Sequence, residues 1–271
     1  MIKDITFGQY FVANSLIHRL DARLKIVLML VLVVALFLCG GFISLGIITI
    51  LALVILIISK VSLKLYFKNI KVIVPIVVFT SLINLFYTQT GTEYHLFWKI
   101  SIWTGGIEKA IFMSIRILVL ILISSILTYT TTPNDITDAI ERLLSPLKYI
   151  GLGSAVHSMS MMMTIALRFI PTLIDETDKI MNAQKARGAD LESGGLLQRI
   201  KALLPILIPL LISSVRRAYD LAEAMECRCY NGGKGRRRMK RLKFSARDYL
   251  SLSLVLLIIS ATLFITFYFK W

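Results

Sequence analysis

The chain has 271 residues, 56% of them hydrophobic, and a formal net charge of +15 from 31 Lys and Arg against 16 Asp and Glu. Its mean hydropathy is +0.75, well above that of a soluble domain, which is about 45–50% apolar. A nucleic-acid binder would be as basic but would lack long uncharged runs, so the composition indicates an integral membrane protein with a basic cytoplasmic side. The three cysteines, Cys39, Cys227 and Cys229, make neither a disulfide framework nor a zinc site, and His18, His95 and His157 are scattered. No metal and no cofactor is expected. Met1 to Ser15 has no apolar core or small-residue cleavage site and does not read as a signal peptide.

A helix crosses a bilayer with about 20 mostly apolar residues. In chain order, the candidate spans are Leu24–Phe42, Ile43–Ser59, Val72–Tyr87, Ile107–Thr128 and Tyr249–Phe269. The first two are joined by Cys39-Gly40-Gly41 and form a helical hairpin. Pro75 kinks the third rather than breaking it. Arg116 stands within the fourth span, where an arginine is costly unless it faces protein, and Asn84 in the third is the expected partner.

Lys3, Arg19, Arg23 and Lys25 precede the first span, and Lys60, Lys64, Lys68 and Lys71 lie between the second and third. The segment from Thr130 to Asp248 is dense in Lys and Arg, while the alternate loops carry only Lys99 and Lys109. The positive-inside rule puts the N-terminus and the long segment in the cytoplasm and, with five spans, the C-terminus outside. Trp98, Trp103, Tyr268 and Trp271 are then outer interface anchors. Asp21, with Arg19 and Arg23, reads as a surface cluster, and His18 has no catalytic company.

Two semi-apolar tracts lie inside the long segment, Met159–Ile174 and Leu196–Val215. Their short apolar runs suit buried or interfacial helices, with a re-entrant hairpin as the alternative. Pro205 and Pro209 imply a bend. Each tract runs on into polar, helix-forming sequence. In the first, Ile174, Thr177, Met181 and Gln184 share a face. A helix from Ala155 to Arg187 would be about 50 Å long, stopped by Gly188 in a left-handed cap; the second helix ends near Tyr230. Before the last span, Lys234 to Lys243 form a basic cluster suited to anionic lipid and topology anchoring.

Both long helices end in small-Arg-small: Ala186-Arg187-Gly188 and Cys227-Arg228-Cys229. An arginine at a helix C-terminus offsets the dipole by about 0.3–1 kcal/mol. That accounts for the charge but not for the small flankers, which would let the tip enter a groove and fork onto a carboxylate there. Met159, Met161, Met162 and Met163 crowd one tract, and methionine suits surfaces that repack against several partners. No Gly-rich phosphate loop ending in Lys-Ser/Thr occurs, so any ATP energy must come from elsewhere.

The stretch "RFIPTLIDETDKIMNAQKARGAD", Arg168 to Asp190, with its partner motif around Arg228, resembles the transmembrane T component of energy-coupling factor (ECF) transporters. The opening "GQYFVANSLIHRLDARLKI", Gly8 to Ile26, is similar to that family's N-terminus. The likeness covers nearly the whole chain, although Cys-Arg-Cys departs from the family's Ala-Arg-Gly pattern while keeping small-Arg-small. It implies a non-enzymatic scaffold, set in membrane lipid, whose partners are two ABC-type ATPases docked on Arg187 and Arg228 and a substrate-binding S component. It also implies that amphipathic coupling helices carry ATP-driven motion to the S component for vitamin uptake. Met159, Met162 and Met163 are candidates for S-component contact.

The expected fold is an all-α integral membrane protein with about five transmembrane helices plus long amphipathic cytoplasmic coupling helices. Its expected parts are a four-span domain at 1–129, a coupling-helix domain at 130–248 and a last span at 249–271. A T component dedicated to cobalt or nickel, or a standalone permease, is the alternative. A membrane enzyme would need clustered His, Asp, Glu or Ser within the spans, which are absent, and a permease would need polar residues converging at mid-membrane, for which only Asn84 and Arg116 offer themselves.

Overall fold

The computed structural model describes residues 10–88, 90, 92–97, 100–189, 195–232 and 244–269. Lys3, Trp98, Lys99, Trp271 and the basic cluster from Lys234 to Lys243 lie outside the described residues. The described chain is helical apart from one short hairpin. Its helices are α1 (Ala22–Leu38), α2 (Phe42–Ser59), α3 (Leu63–Tyr87), α4 (Thr104–Thr130), α5 (Pro133–Leu143), α6 (Gly153–Ala186), α7 (Leu196–Glu226) and α8 (Ala246–Phe269). A 3-10 turn, Ser145–Ile150, separates α5 from α6. The chain divides into two compact units: α1–α4 with α8, and α5–α7.

Five described helices are long and apolar enough to cross a membrane: Phe42–Ser59, Leu63–Tyr87, Thr104–Thr130, Lys201–Glu226 and Ala246–Tyr268. Their number matches the sequence reading, but the set differs. The 17-residue α1 is shorter than each of them, whereas most of α7 qualifies. The tract at 196–215, read from sequence as a buried or interfacial helix rather than a span, belongs to a helix long and apolar enough to cross, and α7 runs unbroken through Pro205 and Pro209. Each proline withdraws one donor from the helix ladder, and the helix continues through both.

Span ends also move. The expected loop from Lys60 to Lys71 is mostly helix. Lys60 turns the chain in the left-handed conformation (φ 54°), and α3 starts at Leu63, nine residues before the expected Val72. Lys64, Lys68 and Lys71 fall at i, i+4 and i+7, all exposed on one face of α3. Long amphipathic side chains of that kind can lie along an apolar surface with the charge at its edge, which is why a basic run need not end a membrane helix. Between α3 and α4, the expected loop contains two antiparallel strands, β1 (Glu93–Phe97) and β2 (Ile100–Trp103), registered Glu93 to Trp103 and Tyr94 to Ile102.

The membrane unit has its core among α1, α2, α4 and α8, where Leu36, Leu45, Ile48, Ala52, Val119 and Ile259 are buried. Lipid tails are as apolar as leucine, so close packing and interhelical hydrogen bonds hold such helices together. α3 shows this clearly. Only Tyr66 on it is buried, and it is tied to α4 by a 2.6 Å bond between the Ser81 and Ser114 hydroxyls and by Asn69 donating to Ser125 Oγ at 3.3 Å. Tyr66 and Tyr129 meet edge to face at 5.2 Å, and the Tyr129 hydroxyl donates to the Leu65 carbonyl.

Two sequence expectations about polar residues are corrected. Arg116 does not pair with Asn84, whose amide donates to the Thr80 carbonyl of its own helix at 2.8 Å. The Arg116 guanidinium donates instead to the carbonyl of Cys39, the C-cap of α1, and lies 4.6 Å over the Phe112 ring. The last carbonyls of a helix have no intrahelical donor, and in an apolar surround that makes them the strongest acceptors within reach.

Asp21 is no surface cluster. It is buried, it caps α1 by accepting the Arg23 amide at 2.9 Å, and it holds the Arg23 guanidinium at 2.8 Å. Its own N–H donates to Asp248 Oδ1 at 3.1 Å, while Asp248 Oδ2 accepts the Ser245 amide at 2.7 Å. Asp248 thus closes one half of a capping box on α8 and anchors the start of α1 with its other oxygen. Arg19 alone of the trio is exposed.

The open C-terminal end of α4 is sealed by the N-terminal segment. Phe11 N–H donates to the Tyr129 carbonyl at 3.0 Å, and the buried Lys25 ammonium donates to Thr130 O at 2.9 Å. His18 belongs to the same seal. Its Nε2 donates to Phe11 O at 2.9 Å, and its Nδ1, 2.7 Å from Ser15 Oγ, accepts the hydroxyl proton. Burial lowers the His18 pKa, outweighing its bond to Phe11, so the ring is neutral at pH 7 as this arrangement requires.

Candidate functional site

The unit built from α5, α6 and α7 carries the two arginine motifs. α6 has 34 residues and α7 has 31, about 51 Å and 46 Å of continuous helix. The face expected from Ile174, Thr177, Met181 and Gln184 is the half-buried side of α6. Near its other end α6 is fastened to α5 through Glu141, which accepts the Ser160 hydroxyl and lies 3.3 Å from His157 Nδ1.

Arg187 is the C-cap of α6. Gly188 follows in the left-handed conformation at φ +85°, its amide donating to Lys185 O at 3.0 Å, and the Ala189 amide reaches back to Gln184 O at 3.0 Å. This pair of backward bonds is a Schellman motif, which satisfies two carbonyls the helix would otherwise leave open. The stop at Gly188 is the one expected from sequence.

α7 ends at Glu226, four residues before the expected Tyr230, yet the same motif follows. The Cys229 amide donates to Glu226 O at 2.8 Å and the Tyr230 amide to Met225 O at 3.0 Å, with Cys229 at φ +53°. Arg228 therefore occupies the position in its cap that Arg187 occupies in the other. Both arginines are exposed, and among the described residues neither guanidinium has a partner.

Part of the small-residue pattern is now explained. The residue after each arginine must adopt positive φ, which glycine does freely and cysteine only at a cost of about 1 kcal/mol. A Cβ at Gly188 would meet nothing within 4 Å, so within this chain backbone strain rather than crowding favours glycine there. Replacing Cys229 by Gly should stabilise the second cap by about 1 kcal/mol, slowing hydrogen exchange of the Tyr230 amide about fivefold, and Gly188→Ala should speed exchange at Ala189 by a similar factor. Equal exchange rates in parent and variants would remove strain as the reason for the small residue.

Sequence reasoning missed the contact that joins the two helices. One carboxylate on α6, Glu176, accepts both the Ser213 hydroxyl and the Arg217 guanidinium of α7. Ser213 and Arg217 are four residues apart and share a face. The available signal was numerical: Glu176 stands 11 residues before Arg187, and Arg217 stands 11 before Arg228.

Met159, Met162 and Met163 lie on one exposed face of α6, at the i, i+3 and i+4 spacing of neighbours on a helix surface. Met161 is turned half inward. On α7, Leu204, Ile208, Leu211 and Ile212 are also exposed, and Ile206 is the one buried apolar residue among its described side chains. A soluble domain does not leave such stripes open.

The exposed apolar faces and the five described helices long and apolar enough to cross a bilayer define a multi-pass membrane protein. A family described as CbiQ, cobalt transport protein, matches residues 13–240. The chain is 50% identical to the energy-coupling factor transporter transmembrane protein EcfT of Clostridium kluyveri, covering 96% of this chain and 97% of that one. It is 49% identical to EcfT of Ruminiclostridium cellulolyticum over 92% of each chain, and 40% identical to EcfT of Bacillus subtilis over 97% and 98%. The chain belongs to the CbiQ family, as a transmembrane T component of ECF transporters.

Proposed function

We propose that this chain couples two cytoplasmic ABC-type ATPases to a substrate-binding S component, and that Arg187 and Arg228 are the two ATPase-docking points, flanked by Ala186, Gly188, Cys227 and Cys229. The observation that carries this reading is the identity of the two caps. Two exposed guanidiniums, without partners among the described residues and at the same position of the same helix-ending motif, suit two similar grooves, each offering a carboxylate. No residue of the chain performs chemistry in this scheme; hydrolysis of ATP takes place on the partners. The loop charges support a cytoplasmic N-terminus and coupling unit and an external C-terminus.

The S component meets the methionine face of α6, at Met159, Met162 and Met163, and the open apolar stripe of α7. Unbranched methionines repack readily, which suits one T component serving several S components. The relatives carry the general name of an energy-coupling factor transporter protein and the matching family is described as cobalt transport protein; our reading is a shared vitamin-uptake module, with a dedicated cobalt or nickel system as the alternative.

Isolation of the tagged chain from native membranes in mild detergent tests the assembly. Two ATPases and at least one small membrane protein should accompany it. A photoreactive residue at Met162 should cross-link that small protein; labelling of lipid alone would remove the methionine face from the interface.

A further inference from the structure

We propose that Glu176, with Ser213 and Arg217, is the pin about which the two coupling helices turn, and that it sets the distance between the arginine tips. These are positioning residues. The inference rests on the docking role of Arg187 and Arg228 proposed above, but it concerns the geometry of this chain alone.

Three observations carry it. The first is the chemistry of the contact. A single carboxylate takes a hydroxyl on one oxygen and a guanidinium on the other, so two donors one helical turn apart fix both the position and the rotation of α7 against α6. Its groups are only partly exposed, at 20% for the Glu176 side chain and 38% for Arg217. The neighbouring residues on both helices are largely half-buried or open, so no tight apolar core holds this crossing.

The second is the equality of the arms. Each tip lies 11 residues past its half of the pin, about 16 Å along the helix. The two arms together are about 33 Å long, so the included angle sets the spacing of the caps, and any change in it moves them symmetrically. A 10° rotation displaces each tip by about 3 Å, enough to make or break a hydrogen bond in a partner's groove. The third is the stiffness of the arms. Each runs as unbroken helix from pin to cap, with no proline or glycine after Pro209 on α7 or after Pro171 on α6. Motion applied at a tip thus reaches the pin rather than being absorbed on the way.

Spin labels at Ala183 and Ala224, each seven residues beyond its half of the pin, read this geometry in the full chain reconstituted in lipid. The background is Cys39→Ala, Cys227→Ser and Cys229→Gly. The parent should give a narrow distance distribution. Glu176→Ala should broaden it, with the parent distance losing about tenfold in population, the loss expected for a charge-assisted contact. The exchange Glu176→Arg with Arg217→Glu should narrow it again.

In the assembled transporter, Glu176→Ala should still retain both ATPases and hydrolyse ATP, while substrate taken up per ATP falls about tenfold. An unchanged distance distribution in Glu176→Ala overturns the pin. If that variant fails to insert, the charge exchange decides, and a broad distribution there overturns it equally. If no ATPase accompanies the unaltered chain, the docking role fails by itself, because the distance measurement needs no partner.

Discussion

The double variant Arg187→Ala, Arg228→Ala should insert normally and lose both ATPases. Truncating one member of a buried charge pair at an interface costs about 2–5 kcal/mol, so each single change should weaken docking of one ATPase at least about 30-fold. With both guanidiniums gone, neither ATPase should survive purification, and substrate uptake should stop. Insertion and folding are expected to continue because, among the described residues, neither guanidinium supports the chain's own structure. The Schellman bonds involve backbone alone and persist with alanine at the cap. Arg187→Lys should fall between the parent and Ala, since an ammonium keeps the charge but not the two-pronged geometry. Recovery of both ATPases in parent amounts with the double variant would end the docking proposal.

Asp248→Ala should destabilise the unit of α1–α4 and α8. It deletes the acceptor of two backbone amides, Asp21 N–H at 3.1 Å and Ser245 N–H at 2.7 Å, at a residue that is 2% exposed. Hydrogen bonds to a charged group contribute about 1.5–3 kcal/mol each. A loss of about 3 kcal/mol in total is expected, lowering the thermal unfolding midpoint in detergent by about 6–10 °C. Asp248→Asn retains an acceptor oxygen for one amide and should lose about half as much. The effect should be felt at α1 as well as α8, because the carboxylate links the starts of helices 227 residues apart in sequence. A midpoint within 1–2 °C of the parent in Asp248→Ala, smaller than even one such bond implies, would show that packing alone joins α1 to α8.

Some of this protein was decided by sequence alone. Its membrane class follows from long uncharged runs beside a basic excess, which no tertiary contact can alter. The length of α6 and its stop after Arg187 were legible because a cap is local. Gly188 adopts the left-handed conformation that ends the helix, and the backward bonds reach no further than five residues. The exposed arginine tips were legible for the same reason.

Tertiary structure decided what depends on partners distant in the chain. Arg116 had a plausible polar neighbour in Asn84, but only the fold brought it to the unsatisfied end of α1. Asp21 looked like a solvated charge until α8 supplied Asp248 and buried it. The second helix was expected to run to about Tyr230 but ends at Glu226, because Cys229 already takes the left-handed conformation three positions before Gly232, which is left-handed too. Glu176 carried no local sign of its role, since its donors lie 37 and 41 residues away on another helix. A carboxylate in a polar helical stretch meets the same local forces whether or not a guanidinium waits across from it. Local sequence fixes backbone conformation through short-range bonds, whereas the pairing of charges depends on which helices the fold sets side by side.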